Sequence, residues 1–119
     1  YEINQEKRMR NVYLLHEYMK NSSVFRPLVE VDPKKNVFHQ YLTLSPNRKE
    51  IMEKFSEQGI YTSVVYPKTL DKCKVYSGCK TYRENGFDMD IAKNNISWPV
   101  GPHLTENDIE YMIEIISSL

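Results

Sequence analysis

Apolar and polar positions follow two rhythms along this chain, and the change from one to the other marks its elements. From Ile3 to Lys20 the apolar residues return every three or four positions: Met9, Val12, Tyr13 and His16, widened by Leu15 and Met19. That spacing predicts an amphipathic helix. Glu6, Arg10 and Glu17 fall on its other side, a solvated face, and Asn21-Ser22-Ser23 ends it. Residues 24–36 hold Pro27 and Pro33 and read as extended and loop-rich. The rhythm then shortens to two. VFHQYLTL, residues 37–44, predicts a strand with Phe38, Gln40, Leu42 and Leu44 on the core face. Val37, His39, Tyr41 and Thr43 take the other face, which is polar and aromatic.

Ser45-Pro46 is expected to open the next helix, with serine as cap and proline in the first turn. Ile51, Met52 and Phe55 make its stripe, and Gly59 ends it with a left-handed residue. Residues 60–66 predict a second strand stopped by Pro67, and residues 68–90 are irregular with room for a short helix. Asn95 to Trp98 predicts a short strand closed by Pro99, with Val100-Gly101-Pro102 as a turn. Thr105 and Asp108 have capping-box spacing, with Leu104 and Ile109 as staple. Ile109, Met112, Ile113 and Ile116 give the stripe of a last helix. This order of elements predicts an α/β (α+β) sandwich, a small sheet with helices packed on one face. The opposite face then needs a cover.

Length and composition sharpen this only in places. At 119 residues the chain suits one domain. Sixteen basic and sixteen acidic residues cancel, so no overall basic field points to nucleic acid or anionic lipid. No run of about 18 apolar residues predicts a membrane span, and the polar first turn is unlike a signal peptide. Cys73 and Cys79 fit neither a zinc site nor a C-x-x-C pair and read as ordinary thiols of a reducing compartment, which makes cytoplasm the expectation. Three scattered histidines, His16, His39 and His103, do not make a metal site. The chain begins with Tyr1 and not methionine, an indication of a piece of something longer.

Several segments, taken in order, carry a resemblance. They are FHQY at 38–41, Arg48, QGIYTSVVYP at 58–67, Tyr76, and ISWPVGPHLTENDI at 96–109. Together they resemble the C-terminal part of the DegT/DnrJ/EryC1/StrS aminotransferases, and the likeness runs over nearly the whole chain. The resemblance implies a small, mostly antiparallel C-terminal domain of a fold-type I enzyme, residues 1–119. It implies a separate N-terminal domain that holds pyridoxal 5'-phosphate on a lysine. It further implies a homodimer that moves an amino group from glutamate to a nucleotide-linked keto sugar, as in cell-surface polysaccharide synthesis. The fragment alone is then expected to be inactive and to bind no cofactor. Lys68, Lys72, Lys74, Lys80 and Lys93 sit among polar residues and read as exposed, unlike a buried cofactor lysine.

The resemblance also directs attention to particular side chains. Tyr66-Pro67 matches the Tyr-Pro that ends the second strand in many members and is a candidate substrate contact, and Tyr76 matches a tyrosine that approaches the sugar in the family. Val65 and Asp71 stand where histidine is common in the family. A carboxylate at 71 would repel a diphosphate and favour hydroxyl or amine groups, or it is a plain turn residue. His39 and Tyr41 share one strand face and either meet the ligand or pack against a neighbour. Trp98 reads as core, His103 as a loop residue, and His16 as partly buried on its helix. Two other readings remain: a dehydratase-like relative that uses the cofactor without its lysine, and a non-enzymatic interaction or regulatory module that pairs through its open sheet face.

Overall fold

The first helix is seated by one seam. In the computed structural model, which describes residues 1–28, 31–32, 36–82 and 86–119, helix α1 spans Glu2–Met19 and buries Asn11, Val12, Leu15 and Met19. Val12, Leu15 and Met19 follow i, i+3, i+7, and Tyr13 lies a further 100° round the axis. Tyr13 is therefore exposed at 54%, against expectation, and Asn11 takes a buried place. His16 is half-buried, as expected.

Strand β1 (Arg26–Pro27) pairs antiparallel with β2 (Tyr41–Leu44), and β2 pairs antiparallel with β3 (Asn95–Trp98). The three strands lie in the order β1-β2-β3. Pro27 is tolerated because β1 is an edge strand with no further ladder to feed. Pro33, counted above as part of the loop, lies outside the described residues.

Strand β2 is shorter than predicted, and it buries residues of both faces, Leu44 as expected and Tyr41 and Thr43 against expectation. Phe38 adopts φ +38°, which takes residues 38–40 out of extended geometry. Phe38 is buried as expected, but Gln40 is exposed and Leu42 only half-buried. Tyr41 and Thr43, assigned to the outer face, are fully buried. Their polar tips allow this because each has a partner. The Tyr41 hydroxyl lies 3.1 Å from His16 Nδ1, and Trp98 Nε1 donates to Thr43 Oγ1 at 2.8 Å. The register places Tyr41 opposite Trp98 and Thr43 opposite Ile96, so these four form the core face. Phe25 and Phe55 meet Trp98 edge-on, with ring centroids at 5.3 and 5.1 Å.

Helix α2 (Arg48–Glu57) begins later than Ser45-Pro46 suggested. Asn47 is its N-cap, without a side-chain bond, and the Ser45 hydroxyl is buried without a hydrogen-bond partner. Ile51 and Phe55 are buried and Met52 half-buried. Gly59, at φ +78°, ends the helix as expected. The second predicted strand is reduced to one antiparallel bridge, Ser63 to Ser97, with N–H···O distances of 3.1 and 2.8 Å. Tyr66 breaks it by adopting φ +52°.

Two 3₁₀ turns follow, Leu70–Lys72 and Lys74–Tyr76. Helix α3 (Phe87–Asn94) starts from Gly86 at φ +67° and runs directly into β3. All four residues of β3 are buried, Trp98 among them, as the sequence predicted.

Helix α4 (Glu106–Ser117) carries the predicted capping box. Thr105 Oγ1 accepts from the Asp108 amide and Asp108 accepts from the Thr105 amide. The bond from the Thr105 hydroxyl, then that from its amide, holds the Asp108 carboxyl below the usual carboxylate range. Ile109, Met112 and Ile116 face the core as predicted; Ile115 joins them and Ile113 is half-buried.

Candidate functional site

Residues 66–82 form an irregular arm and residues 87–92 belong to a helix, and residues of both line a hollow of about 660 Å³. Its shape starts at Tyr66. A left-handed, non-glycine backbone is uncommon, and here it turns the chain away from β3 and projects the phenol into solvent at 80% exposure. The 3₁₀ turns carry Asp71 and Tyr76, and α3 carries Ile91 and Ala92, to the lining of the same hollow. Tyr66, Asp71 and Tyr76, singled out in the sequence from three separate stretches, thus line the same hollow.

Asp71 keeps only 18% of its side chain exposed, and Lys72 Nζ lies 3.9 Å from its Oδ2. Tyr76 is 46% exposed. Lys68, Lys80, Tyr82 and Asp88 also line the hollow. The sequence offered a weak signal for Tyr82, a large aromatic in a polar loop, and none for Asp88, which reads as an ordinary first-turn acid of a helix. Three phenols with two carboxylates and two ammonium groups can stack on the apolar faces of a hydroxylated ring and hydrogen-bond its rim.

His39 and Tyr41 do not line this hollow. His39 is exposed at the bend before β2. Tyr41 is a core residue, and burial pushes its phenol well above the usual tyrosine range. It therefore stays protonated and neutral under His16.

Pyridoxal phosphate chemistry requires a desolvated lysine and a cradle of amides for the phosphate. Lys68, Lys72, Lys74, Lys80 and Lys93 are all exposed. The two left-handed glycines, Gly59 and Gly86, stand singly at helix ends and build no phosphate loop. What the residues that line the hollow can do is bind, orient and exclude water. Among the described residues no three potential metal ligands converge, and no helix is long and apolar enough to cross a membrane. Cys73 and Cys79 are both free thiols.

Known proteins match this architecture along nearly its full length. A Geobacillus stearothermophilus "Pleiotropic regulatory protein" is 37% identical over 90 residues, covering 74% of this chain and 24% of that protein. A dTDP-3-amino-3,6-dideoxy-alpha-D-galactopyranose transaminase from Aneurinibacillus thermoaerophilus is 28% identical over 116 residues, 96% of this chain and 31% of the relative. The chain thus spans a quarter to a third of the curated relatives it matches. Among solved structures, a Brucella abortus DegT DnrJ EryC1 StrS aminotransferase superposes with a TM-score of 0.84 at 22% identity, covering 97% of this chain and 31% of that one. S. venezuelae DesV superposes at 0.85 with 18% identity and the same coverage. These likenesses show the same fold, the small antiparallel sheet and helices described above. The family profile itself matches residues 1–117, and the chain belongs to the DegT/DnrJ/EryC1/StrS aminotransferase family.

Proposed function

We propose that this chain is the sugar-facing C-terminal domain of a pyridoxal-phosphate-dependent transaminase that aminates a nucleotide-linked keto sugar with glutamate as donor. The observation that carries the reading is the convergence of Tyr66, Asp71 and Tyr76 on one aromatic, carboxylate-bearing hollow. The name of the Aneurinibacillus relative, a transaminase of a dTDP-linked amino sugar, supports the substrate class. The cofactor belongs to an N-terminal domain outside these 119 residues, and the working unit is a cytoplasmic homodimer. In this division of labour Tyr66 and Tyr76 stack on or bond the sugar, and Asp71 accepts hydrogen bonds from its hydroxyl or amino groups.

The test uses the complete gene product that contains this chain. It is incubated with pyridoxal phosphate, glutamate and dTDP-linked keto sugars, and both 2-oxoglutarate and the amino sugar are quantified. Equimolar formation of the two is expected. Loss of water from the sugar without amino transfer would mark the dehydratase-like relative instead. A folded product with neither activity and no cofactor absorbance would overturn the enzyme reading. It would favour a regulatory module, which the name of the Geobacillus relative supports.

A further inference from the structure

Asn95 is fully buried, and its one side-chain amide reaches two separate walls of the hollow. Its Oδ1 accepts the backbone N–H of Val65 at 2.8 Å. Its Nδ2 donates to the carbonyl of Ile91 at 2.6 Å. Val65 is the residue before Tyr66, and Ile91 lies in the last turn of α3; Tyr66 and Ile91 both line the hollow.

The backbone around Val65 needs such a tie. Among the described residues this segment pairs with β3 only through the bridge at Ser63, and three residues later Tyr66 occupies the left-handed region at φ +52°. A bulky residue holds that conformation only where its surroundings over-determine it. Tyr66 itself is 80% exposed, so its own side chain provides little of that restraint. The α3 wall is fixed from the same neighbourhood, since Arg48 Nη1 donates to the Ala92 carbonyl at 2.9 Å.

We propose that Asn95 is a positioning residue for the sugar pocket: it sets Tyr66 against the α3 wall by holding Val65 N–H and Ile91 C=O with one buried amide. The proposal rests on the reading of the hollow as the substrate wall. Its mechanical half stands on geometry alone. Aspartate at 95 keeps the acceptor for Val65 and loses the donor for Ile91. Leucine has nearly the same volume and loses both.

The test compares Asn95→Leu and Asn95→Asp with the parent in the complete gene product. The first readout needs no substrate. It is hydrogen–deuterium exchange at the Val65 amide, read by mass spectrometry with residue-level fragmentation beside the global unfolding midpoint. Asn95→Leu should speed Val65 exchange at least tenfold beyond any change in global stability, while Asn95→Asp stays within threefold of the parent. Exchange that only follows global stability, or two variants that behave alike, overturns the proposal.

The second readout is the sugar kinetics. Asn95→Leu should raise KM for the keto sugar about tenfold with kcat changed less than threefold, and Asn95→Asp, which keeps only the Val65 half of the tie, should raise it by a clearly smaller factor. An unchanged KM in an active Asn95→Leu enzyme overturns the positioning role. If the parent turns over no keto sugar, the functional reading falls, and Val65 exchange still decides whether Asn95 ties the two walls. If Asn95→Leu does not fold, the comparison of Asn95→Asp with the parent decides: Val65 exchange faster than threefold, uncoupled from global stability, overturns the claim that the acceptor oxygen holds it.

Discussion

Replacing Thr43 by valine removes one oxygen from a fully enclosed polar contact. Thr43 is 0% and Trp98 2% exposed, and the bond between them is 2.8 Å long. Valine keeps the shape of threonine, so packing changes little. The indole N–H, however, is left in a dry space among Phe25, Phe55 and Ile96. An orphaned buried donor costs about 1–3 kcal/mol. The extra apolar burial of the new methyl group offsets about 0.8 kcal/mol of that. The net loss is about 0.2–2 kcal/mol, centred near 1 kcal/mol, against the roughly 5–15 kcal/mol that holds a domain folded. Urea unfolding is the assay, followed by far-UV circular dichroism and by the fluorescence of the single tryptophan. With a urea dependence of about 1.5 kcal/mol per molar, the midpoint should fall by about 0.7 M. Trp98→Phe and the double variant complete a cycle, whose coupling should be about 1 kcal/mol or more. A midpoint shift below about 0.1 M, or a coupling near zero, would refute the claim that this bond matters to the core.

Four further outcomes follow from the same geometry. Tyr41→Phe should cost less than Thr43→Val, under about 1 kcal/mol by urea titration, because His16 is half-buried and keeps other contacts; a larger loss would contradict that ranking. Asn11→Leu strips the donor from the Gly101 and Leu104 carbonyls, which the amide meets at 3.0 and 3.4 Å. Its Tm should drop by roughly 5–15 °C in a calorimeter, and a drop of about 2 °C or less would deny Asn11 that role. The Asp108 carboxyl titrates lower folded than unfolded, so its contribution is full above the unfolded pKa and fades as pH falls through the folded one. Thr105→Ala should therefore raise the Asp108 titration seen by carbon-13 NMR and flatten the acid limb of the stability curve below about pH 4, whereas an unmoved titration speaks against the capping box. Tyr66→Gly should raise stability by about 0.5–1 kcal/mol by relieving a left-handed tyrosine, while weakening sugar binding; lower stability would show that the phenol itself holds the arm.

How much of this was legible in the sequence differs from element to element, for physical reasons. Helix α4 was readable down to its cap because everything that defines it lies within a few residues. The Thr105–Asp108 reciprocity is a local matter of backbone and side-chain reach, and the isoleucine spacing settles the buried face. Strand β3 and Gly59 were equally local. The faces of β2 were not. Alternation fixes that two faces exist, but which one is core depends on partners far along the chain: His16 for Tyr41, and Trp98 for Thr43. Once those partners are present, the polar tips cost little and the more polar face can be the inner one. Ser45 failed as a cap for a related reason, since the register of β2 carried it inside before α2 began.

The candidate site divides along the same line. By itself the sequence determined the family-like order of segments and pointed to Tyr66, Asp71 and Tyr76, because residue type and spacing are one-dimensional facts. It also placed His39 and Tyr41 together on a face, which they do not share with the hollow. Only the tertiary structure decided that the three chosen residues line one hollow together with Ile91 and Ala92 of α3, and that the buried Asn95 amide bonds both the Val65 N–H and the Ile91 carbonyl. A hydrogen bond across 30 residues leaves no periodic trace in a sequence, whereas a helix cap does.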